Sequence, residues 1–399
     1  MRIALIQPAS PFLLDQGVHG PLGLWYVGAA LQGAGHEVVY CDRGLGDALP
    51  TDCDVWGLTG TTPQLRDMAL VLAEAGETPV IVGGPHATQC PDDLLSLGAT
   101  VVVRGEGEQA FPRLLSGTLP RMATVNADRI ANLNSLAFPD RSQAHRYHYQ
   151  IKDRYGVARE AATVITSRGC PHRCAFCSTG VWGRRYSERS ADNVLTEMVH
   201  LQGLGYEGVH FYDDSLAINR ARLRQIAAGM KRLGLIWRCF VRADQVDQGL
   251  LVDMARGGCV EIGLGVESGA QSVLDASDKY ESVEGQAQTI AAAHRAGIRV
   301  KAFIIVGLPG ETWETVDATA WFLGQTRPDD VDITVLQVYP GSPIDDDPAA
   351  YGITRTAEPC WYKGRRGEYR ANHRTETMSG DDLLLARDYL HARFKGVAT

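Results

Sequence analysis

The sequence predicts an α/β protein in which one chain of 399 residues forms two parallel-sheet units. Short apolar runs of strand character alternate with helical stretches twice, over residues 1–116 and again over 161–343. Such alternation is typical of parallel sheets covered by helices. The length points the same way, because a single hydrophobic core seldom organises so long a chain.

The composition is that of a globular protein, with 45% apolar and 22% charged residues. No apolar run is long enough to cross a bilayer, and Met1 leads directly into strand-like sequence without an apolar signal region. We therefore expect a cytoplasmic protein without a membrane partner. Nine cysteines in a scattered, odd set fit a reducing compartment. A net charge of −8 argues against nucleic acid and favours small-molecule substrates.

In the first unit, the pattern predicts strands at 3–6, 37–40, 55–59, 80–82 and 100–103, with helices at 22–34 and 65–75. Ligands of open parallel sheets bind beyond the carboxyl ends of the strands. The turns at these ends are rich in small and hydroxyl-bearing residues, which allow a large planar ligand to approach the backbone. We expect a ligand site at this edge.

From residue 117 to 160 the periodicity fades, and Pro120 and Pro139 stand in a polar mixture that predicts a linker. The linker ends in the aromatic and basic run His145–Tyr149. This run either covers the seam between the two units or is a solvated strap.

In the second unit, the pattern predicts strands at 162–166, 208–212, 236–241, 260–265, 300–306 and 331–339, with helices at 191–204, 220–233, 250–256, 283–296 and 311–323. Six such repeats suit a partial (β/α)6 barrel of the TIM type that is open on one side. Its catalytic residues are expected at the carboxyl ends of the strands.

Three cysteines, Cys170, Cys174 and Cys177, follow the first strand of this second unit in the spacing Cys-x-x-x-Cys-x-x-Cys. Three thiolates are one fewer than a structural zinc site or an electron-transfer cluster normally uses. A 4Fe-4S cluster held by three cysteines keeps one iron free for an external ligand. The alternatives are a zinc knuckle or three incidental buried thiols.

With Phe176 before the last cysteine, the loop resembles the Cys-x-x-x-Cys-x-aromatic-Cys motif of the radical S-adenosylmethionine (SAM) family. The resemblance implies that the free iron is chelated by the amino and carboxylate groups of SAM, near Phe176. It also implies that an external one-electron reductant, such as flavodoxin or ferredoxin, drives cleavage of SAM to a 5′-deoxyadenosyl radical.

Further strand ends resemble the pattern of the same family. They imply that Asp213 or Asp214 lies near the methionyl ammonium, Arg242 near its carboxylate, and Glu267 with Ser268 near the ribose hydroxyls. These pairings of opposite charge, and of carboxylate with hydroxyl, are chemically sensible. For any one of these residues, the alternative is a surface salt bridge or a helix cap.

The first unit resembles the cobalamin-binding domain found ahead of many radical enzymes, in the phrases Pro21–Tyr26, Gly83–Thr88 and Arg104–Phe111. The Asp-x-His-x-x-Gly motif of many cobalamin proteins is absent, because Asp15 and His19 are wrongly spaced for it. We therefore expect cobalt without a lower histidine ligand. The cobalamin contacts implied by the resemblance are Thr59, Thr61, Gly83, Gly84, Pro85 and Glu106.

One other interpretation of the first unit remains open. The domain could keep its fold for packing after losing its ligand, because fold alone does not carry function. His86 and Cys90 stand at the same turn, where we expect a hydrogen-bonding wall residue and a capping or buried thiol, respectively.

Residues 344–399 are predicted to form a short C-terminal region, with an amphipathic helix at 381–394 capped by Ser379. A basic run from Lys363 to Arg374 includes Arg365 and Arg366. These two arginines either clamp a phosphate or carboxylate on a small substrate or belong to a solvated loop.

The two resemblances together imply a cobalamin-dependent radical SAM methyltransferase. Such an enzyme moves a methyl group from methylcobalamin to an unactivated carbon, or less often phosphorus, of a small molecule after hydrogen abstraction. One alternative is a related radical enzyme that performs cyclisation, ring contraction or oxidation. Another is a cobalamin or iron-sulfur sensor, although a sensor has no need of Arg242 or Glu267.

Overall fold

The computed structural model describes residues 1–178, 180–356 and 370–394. The chain forms two compact units. The first comprises Met1–Tyr149 with a short segment that ends at Ser187, and the second comprises Gln150–Ser178 and the chain from Glu188 onward. Among the helices of the described ranges, none has the length and apolar character that a bilayer span requires.

The first unit is a six-stranded parallel sheet in the order β2-β1-β3-β4-β5-β6. Its strands are β1 (Arg2–Gln7), β2 (Glu37–Asp42), β3 (Val55–Thr59), β4 (Val80–Gly83), β5 (Val101–Arg104) and β6 (Ala123–Asn126). Its helices are α1 (Leu22–Gly33), α2 (Leu65–Glu74), α3 (Pro85–Gln89), α4 (Pro91–Ser96) and α5 (Gly107–Leu115). The strand order reverses between β1 and β3, which marks the ligand crevice of such folds.

The inner strand β1 is buried on both faces of this sheet. Ile3 and Leu5 enter one apolar cluster, whereas Ala4 and Ile6 enter another. Successive side chains of a strand point to opposite faces, so a strand covered on both sides must be apolar throughout. The run 3–6 meets that requirement. The parallel-sheet unit predicted for residues 1–116 is confirmed, and its arrangement is Rossmann-like.

The second unit contains a seven-stranded sheet in the order β15-β14-β13-β12-β11-β8-β7. The strands of this part of the chain are β7 (Gln150–Lys152), β8 (Ala158–Val164), β9 (Ser167–Arg168), β10 (Ser187–Glu188), β11 (Gly208–Phe211), β12 (Ile236–Val241), β13 (Cys259–Glu267), β14 (Arg299–Val306), β15 (Asp330–Val335), β16 (Thr354–Arg355) and β17 (His373–Arg374). The helices are α6 (Ala191–Gly203), α7 (Arg220–Leu233), α8 (Gln248–Arg256), α9 (Gln271–Ala276), α10 (Val283–Ala296), α11 (Trp313–Thr326), α12 (Pro343–Asp346) and α13 (Gly380–Phe394).

Six strands of this sheet, β8 and β11 to β15, run parallel, and β7 joins the edge antiparallel to β8. Because β15 and β7 lie at opposite ends of the strand order, the sheet is open rather than closed. The predicted partial barrel of six βα repeats is confirmed. The expected cap of the last helix is also present, since Ser379 Oγ accepts a hydrogen bond from the Asp382 N–H at 3.2 Å.

The structure adds elements that the sequence did not indicate. The interval 117–160 contains β6, a short edge strand with alternating partial exposure. A short helix, α9, follows β13, and β15 ends at Val335 rather than continuing to Tyr339. α11 begins two residues later than predicted because Thr312 caps it, with Thr312 Oγ1 accepting the Thr315 N–H at 3.3 Å.

Candidate active site

The cysteine loop follows β8 and β9 at the carboxyl edge of the partial barrel, where catalytic residues are expected. Two backbone hydrogen bonds fix its centre: the Ala175 N–H donates to the Ser277 carbonyl at 2.9 Å, and the Ala175 carbonyl accepts from the Ile344 N–H at 3.0 Å. Phe176 is half-buried against the apolar cluster around Ala175 and Leu308. The loop is therefore held in place by the rest of the barrel.

Burial raises the pKa of all three thiols in this loop, and it raises that of Cys177 to about 12. The thiols also raise one another's pKa, since electrostatic repulsion from Cys174 and Cys170 disfavours the thiolate of Cys177. Buried thiolates need nearby positive charge, which an iron cluster supplies on binding. Three clustered thiols with that requirement fit a thiolate-ligated 4Fe-4S cluster.

Two cationic side chains reach the same loop. Arg242 Nη1 donates to Cys174 Sγ at 3.6 Å, and Lys279 and Arg242 both act to lower the pKa of Cys174. His172, the only histidine near the cysteine spacing, has its Nε2 3.1 Å from Gln245 Nε2. The protein thus offers partial positive charge to the thiol sulfurs before any metal binds.

These cations belong to a buried charged network. Arg242 Nη2 donates to Asp244 Oδ2 at 3.0 Å and to the Lys279 carbonyl at 2.8 Å. Lys279 Nζ lies 3.0 Å from Glu267 Oε1 and 3.4 Å from Glu281 Oε2. Burial alone lowers the pKa of Lys279, but Glu267 and Glu281 outweigh it and raise that pKa overall. Lys279 is therefore held as an ammonium inside the protein.

Glu267 ends β13 in an unusual backbone conformation, with φ at 64°. The ladder between β13 and β14 is irregular at this point, between Gly265 and Glu267. A Cβ on Gly265 would lie 2.4 Å from Glu267 Oε1 and 3.0 Å from Lys279 Nζ, so glycine is required for the carboxylate to fold back. Ser268 is buried, and its hydroxyl lies 3.2 Å from Thr319 Oγ1 on α11.

The two adjacent acids after β11 have different environments. Asp213 is buried, and its Oδ1 accepts hydrogen bonds from Thr166 N at 2.9 Å, Thr166 Oγ1 at 3.0 Å and Ser167 Oγ at 2.6 Å. Burial raises the pKa of Asp213, although Arg222 and these hydrogen bonds oppose the shift. Asp214 is exposed, and its Oδ2 accepts from the Gly169 N–H at 3.1 Å, one residue from Cys170.

In the first unit, the turn after β4 leaves its backbone open to a ligand. A Cβ on Gly83 would find only the Val103 carbonyl, at 4.0 Å. Gly84 has φ at 94°, and a Cβ on it would clash with Thr59 Oγ1. Pro85 follows as the first residue of α3. A backbone without side chains at the carboxyl edge of a parallel sheet is the kind of surface that a large planar ligand such as cobalamin can approach.

Two other predicted cobalamin contacts serve the local structure. The backbone N–H and hydroxyl of Thr61 both donate to Gln64 Oε1 at 3.0 Å. Glu106 is buried, and its Oε2 accepts from the Ile130 N–H at 2.6 Å. Both residues therefore shape the turns at this edge of the sheet.

His86 and Cys90 stand beside this turn at the two ends of α3. His86 Nδ1 lies 3.2 Å from Thr62 Oγ1, and burial lowers the pKa of His86. The Cys90 N–H donates to the His86 carbonyl at 2.8 Å and closes the helix. The hydrogen-bonding and capping interactions expected for these residues are present.

Sequence reasoning missed several residues of the site. Lys279 and Glu281 interact with the predicted site residues Glu267 and Arg242, and Gln245 contacts His172 in the cysteine loop. All three lie in loops and turns without a recognisable local motif. Arg365 and Arg366 lie outside the described residues. Of the same basic run, Arg370 and Arg374 are exposed.

The chain matches the radical SAM superfamily over residues 164–323 and the B12 binding domain over residues 15–115. It is therefore a radical SAM enzyme with an N-terminal cobalamin-binding domain, and the resemblance in its motifs is confirmed. These two matches support three cofactors for the chain: a 4Fe-4S cluster, SAM and cobalamin.

Among curated relatives, an uncharacterized methyltransferase of Pyrococcus horikoshii is 28% identical, covering 86% of this chain and 82% of the relative. The bacteriochlorophyllide d C-12(1)-methyltransferase of Chlorobaculum tepidum is 27% identical, and the match covers 85% of this chain and 76% of that methyltransferase. The anaerobic magnesium-protoporphyrin IX monomethyl ester cyclase of Cereibacter sphaeroides is 28% identical, covering 73% of this chain but 52% of the cyclase.

Among solved structures, the radical SAM methyltransferase TsrM of Kitasatospora setae, with cobalamin and a [4Fe-4S] cluster bound, is similar to this chain with a TM-score of 0.71. The match covers 91% of this chain and 82% of TsrM at 18% identity. At that identity, the likeness supports the fold.

Proposed function

We propose that this protein is a cobalamin-dependent methyltransferase that acts on an unactivated carbon, or less often phosphorus, of a small molecule. The observation that carries the proposal is that methyltransferases outnumber cyclases among the curated relatives of this chain. The chain covers 82% and 76% of the two methyltransferases described above. Cyclisation, ring contraction or oxidation is the second candidate, because the cyclase is 28% identical over a match that covers 73% of this chain.

Cys170, Cys174 and Cys177 are the residues that hold the cluster in this proposal. When bound, the cluster with SAM supplies a 5′-deoxyadenosyl radical, and methylcobalamin supplies the methyl group. The chain's own contribution is to keep Cys174 buried and the other two cysteines half-buried, and to place Arg242 and Lys279 beside Cys174. That positive charge favours the thiolate form that a metal ligand requires.

The remaining strand ends bind SAM. Asp214 takes the methionyl ammonium, because it is exposed beside Cys170, whereas Asp213 is committed to the β8 turn. Arg242 takes the carboxylate, and Glu267 takes the ribose hydroxyls. Phe176 contributes an apolar wall next to the cluster.

Ser268 has a positioning role in this proposal. Its hydroxyl contacts Thr319 and also accepts the Ala270 N–H at 3.2 Å, so it fixes the turn that follows Glu267. A fixed turn holds the carboxylate where a ribose hydroxyl can reach it, and geometry of this kind supports binding of a small ligand.

Cobalamin binds along Thr59, Thr61, Gly83, Gly84, Pro85 and Glu106, without a protein histidine beneath the cobalt. The support is the side-chain environment of the histidine nearest to this turn. His86 has Nδ1 at Thr62 and Nε2 at 3.5 Å from Asp93 Oδ2, so both ring nitrogens face protein groups.

The substrate is a small molecule, and an external one-electron reductant such as flavodoxin or ferredoxin drives the reaction. An anionic group on the substrate remains part of the proposal through Arg365 and Arg366. The exposed position of Arg370 and Arg374 in the same run supports a basic surface there.

A half-reaction tests methyl transfer without knowing the substrate. The anaerobic holoenzyme is reduced and incubated with SAM that carries a deuterated methyl group, and its bound cobalamin is analysed by mass spectrometry. We expect deuterated methylcobalamin and S-adenosylhomocysteine. Formation of 5′-deoxyadenosine without any labelled methylcobalamin would instead support the cyclase-like alternative.

A further inference from the structure

Three potential metal ligands converge in the first unit, away from the cysteine loop in the sequence. One ligand atom each from His86, Cys90 and Asp93 lies within 4.8 Å of the other two. His86 lies on α3, Cys90 ends that helix, and Asp93 lies on α4. The spacing of four residues between His86 and Cys90 places their side chains on the same face of a helical turn.

The burial and the hydrogen bonding of His86 distinguish this cluster from a chance grouping. Its side chain is 1% exposed, and within the described part of the chain its Nε2 atom makes no hydrogen bond. A buried polar atom without a partner is costly, so a native structure normally gives it one. The Nε2 atom points toward Asp93 Oδ2, at 3.5 Å.

This distance suits two ligands of one ion. Nitrogen and oxygen atoms bound at about 2.0–2.2 Å to a tetrahedral zinc lie about 3.3–3.5 Å from each other. The other ring nitrogen fits as well. A metal-bound histidine normally donates its second N–H to a neighbouring acceptor, and Nδ1 lies 3.2 Å from the Thr62 hydroxyl.

We propose that His86, Cys90 and Asp93 form a zinc site in the first unit. The set of one imidazole, one thiolate and one carboxylate matches the ligands that zinc accepts. Binding releases the thiol proton of Cys90, and the thiolate and carboxylate then neutralise the two charges of the ion. The Asp93 side chain is 54% exposed, so water can reach the fourth position.

The ion ties α3 to α4 immediately after the Gly83–Gly84–Pro85 turn. Its role is to fix the start of α3, whose first residue is Pro85. This inference is independent of methyl transfer and of cobalamin, because its ligands and its metal are different.

The experiment measures zinc in full-length protein whose cluster cysteines are replaced, Cys170→Ala with Cys174→Ala and Cys177→Ala, so that the cysteine loop cannot take zinc. The protein is stripped with a chelator and titrated with Zn²⁺ against a competing fluorescent indicator. We expect one zinc per chain. Cys90→Ser and Asp93→Asn should each weaken binding by at least about tenfold, and Thr62→Val by about 10–100-fold through loss of the hydrogen bond to Nδ1.

Asp92→Asn is the matched control, because Asp92 is the exposed neighbour of Asp93 and belongs to the same helix. It should leave zinc affinity unchanged. A second measurement determines the zinc content of the cluster-loaded protein, because elemental analysis distinguishes zinc from iron and cobalt. Thermal unfolding with and without Zn²⁺ checks that each variant is folded. Zinc affinity that is equal in the parent, Cys90→Ser and Asp93→Asn proteins would overturn the proposal, as would a parent that binds no zinc.

Discussion

The ammonium of Lys279 lies 3.0 Å from a carboxylate oxygen of Glu267, and the two side chains are 5% and 9% exposed. The pair joins the end of β13 to the loop that follows α9. Glu267 reaches it from a left-handed backbone conformation that Gly265 makes room for. The positive charge of Lys279 also acts to lower the pKa of Cys174. The pair therefore links Glu267, the proposed ribose contact, electrostatically to the cysteine loop.

The first prediction concerns the stability of this pair. Lys279→Met leaves the Glu267 carboxylate buried beside Glu281 without its ammonium. Removing one member of a buried ion pair typically costs about 3–5 kcal/mol. We therefore expect urea unfolding of the cluster-free protein to give a free energy of unfolding lower by about that amount.

Lys301 and Asp330 provide the control, since their N–O distance is also 3.0 Å but their side chains are 22% and 46% exposed. Exposed pairs contribute about 0–1 kcal/mol, so Lys301→Met should change the free energy of unfolding by no more than that. Equal losses in the two variants would show that burial does not set the importance of the Lys279 pair.

The second prediction separates the two adjacent acids. Asp214→Asn should weaken SAM binding by about 10–100-fold, which corresponds to the loss of one charged hydrogen bond of about 1.5–3 kcal/mol. Asp213→Ala should mainly lower the free energy of unfolding, because it strands the donors of Thr166 and Ser167. Equilibrium dialysis with SAM and urea unfolding measure the two effects. The assignment is wrong if Asp214→Asn binds SAM as the parent does.

The third prediction concerns the reduction potential of the cluster. Arg242 donates to Cys174 Sγ, and a positive hydrogen-bond donor at a ligand sulfur favours the reduced, more negative cluster. Arg242→Gln should therefore shift the midpoint potential to a more negative value, on the order of 60 mV for a tenfold change in a one-electron equilibrium. Redox titration followed by electron paramagnetic resonance measures the shift. A potential that stays constant or rises would contradict a role of Arg242 at the sulfur.

Helices with a capping residue at the start and a glycine at the end were the most predictable elements from sequence. α10 was predicted at Val283–Ala296 and occurs there, because Ser282 caps its start by accepting the Gly285 N–H and Gly297 ends it with φ at 78°. These are local interactions between near neighbours, so the sequence contains the information. The same holds for α7, which begins at the Asn219 cap and ends before Gly234.

The charged network could not be predicted in the same way, because its contacts depend on backbone conformation and on chain segments that are distant in sequence. Asp278 and Tyr280, which flank Lys279, both have positive φ without being glycine. In sequence, this polar stretch indicates an exposed loop, yet Lys279 is almost fully buried. Likewise, the sequence could not tell which of Asp213 and Asp214 accepts the hydrogen bonds of the turn after β8, because that depends on the folded backbone.

The fourth prediction concerns the lower face of cobalt. If no protein histidine binds there, the bound cob(II)alamin should show no nitrogen superhyperfine splitting from a protein imidazole in its electron paramagnetic resonance spectrum. Protein labelled with ¹⁵N-histidine gives the control, because only a histidine ligand changes its splitting on labelling. A splitting that changes with the label and disappears in His86→Ala would show that His86 leaves Thr62 and Asp93 to bind cobalt.

The fifth prediction concerns two buried groups with opposite pH dependence that meet at Gly307. Glu311 Oε2 accepts the Gly307 N–H at 2.5 Å, and burial raises the pKa of Glu311 to about 7. His373 Nε2 lies 2.9 Å from the Gly307 carbonyl, and burial lowers the pKa of His373 to about 4. Both groups are therefore neutral together only in the folded protein at mildly acidic pH.

The signs of the two contributions follow from proton binding. Between pH 4.5 and 7 the unfolded state releases the Glu311 proton first, so stability falls as pH rises. Between pH 6.5 and 4 the unfolded state protonates His373 first, so stability falls as pH decreases. Glu311→Gln should gain stability relative to the parent by about 3 kcal/mol as pH rises from 4.5 to 7, and His373→Gln should gain a similar amount relative to the parent as pH falls from 6.5 to 4. Urea unfolding across this pH range measures both differences, and slopes of the same sign in the two variants would contradict the assignment.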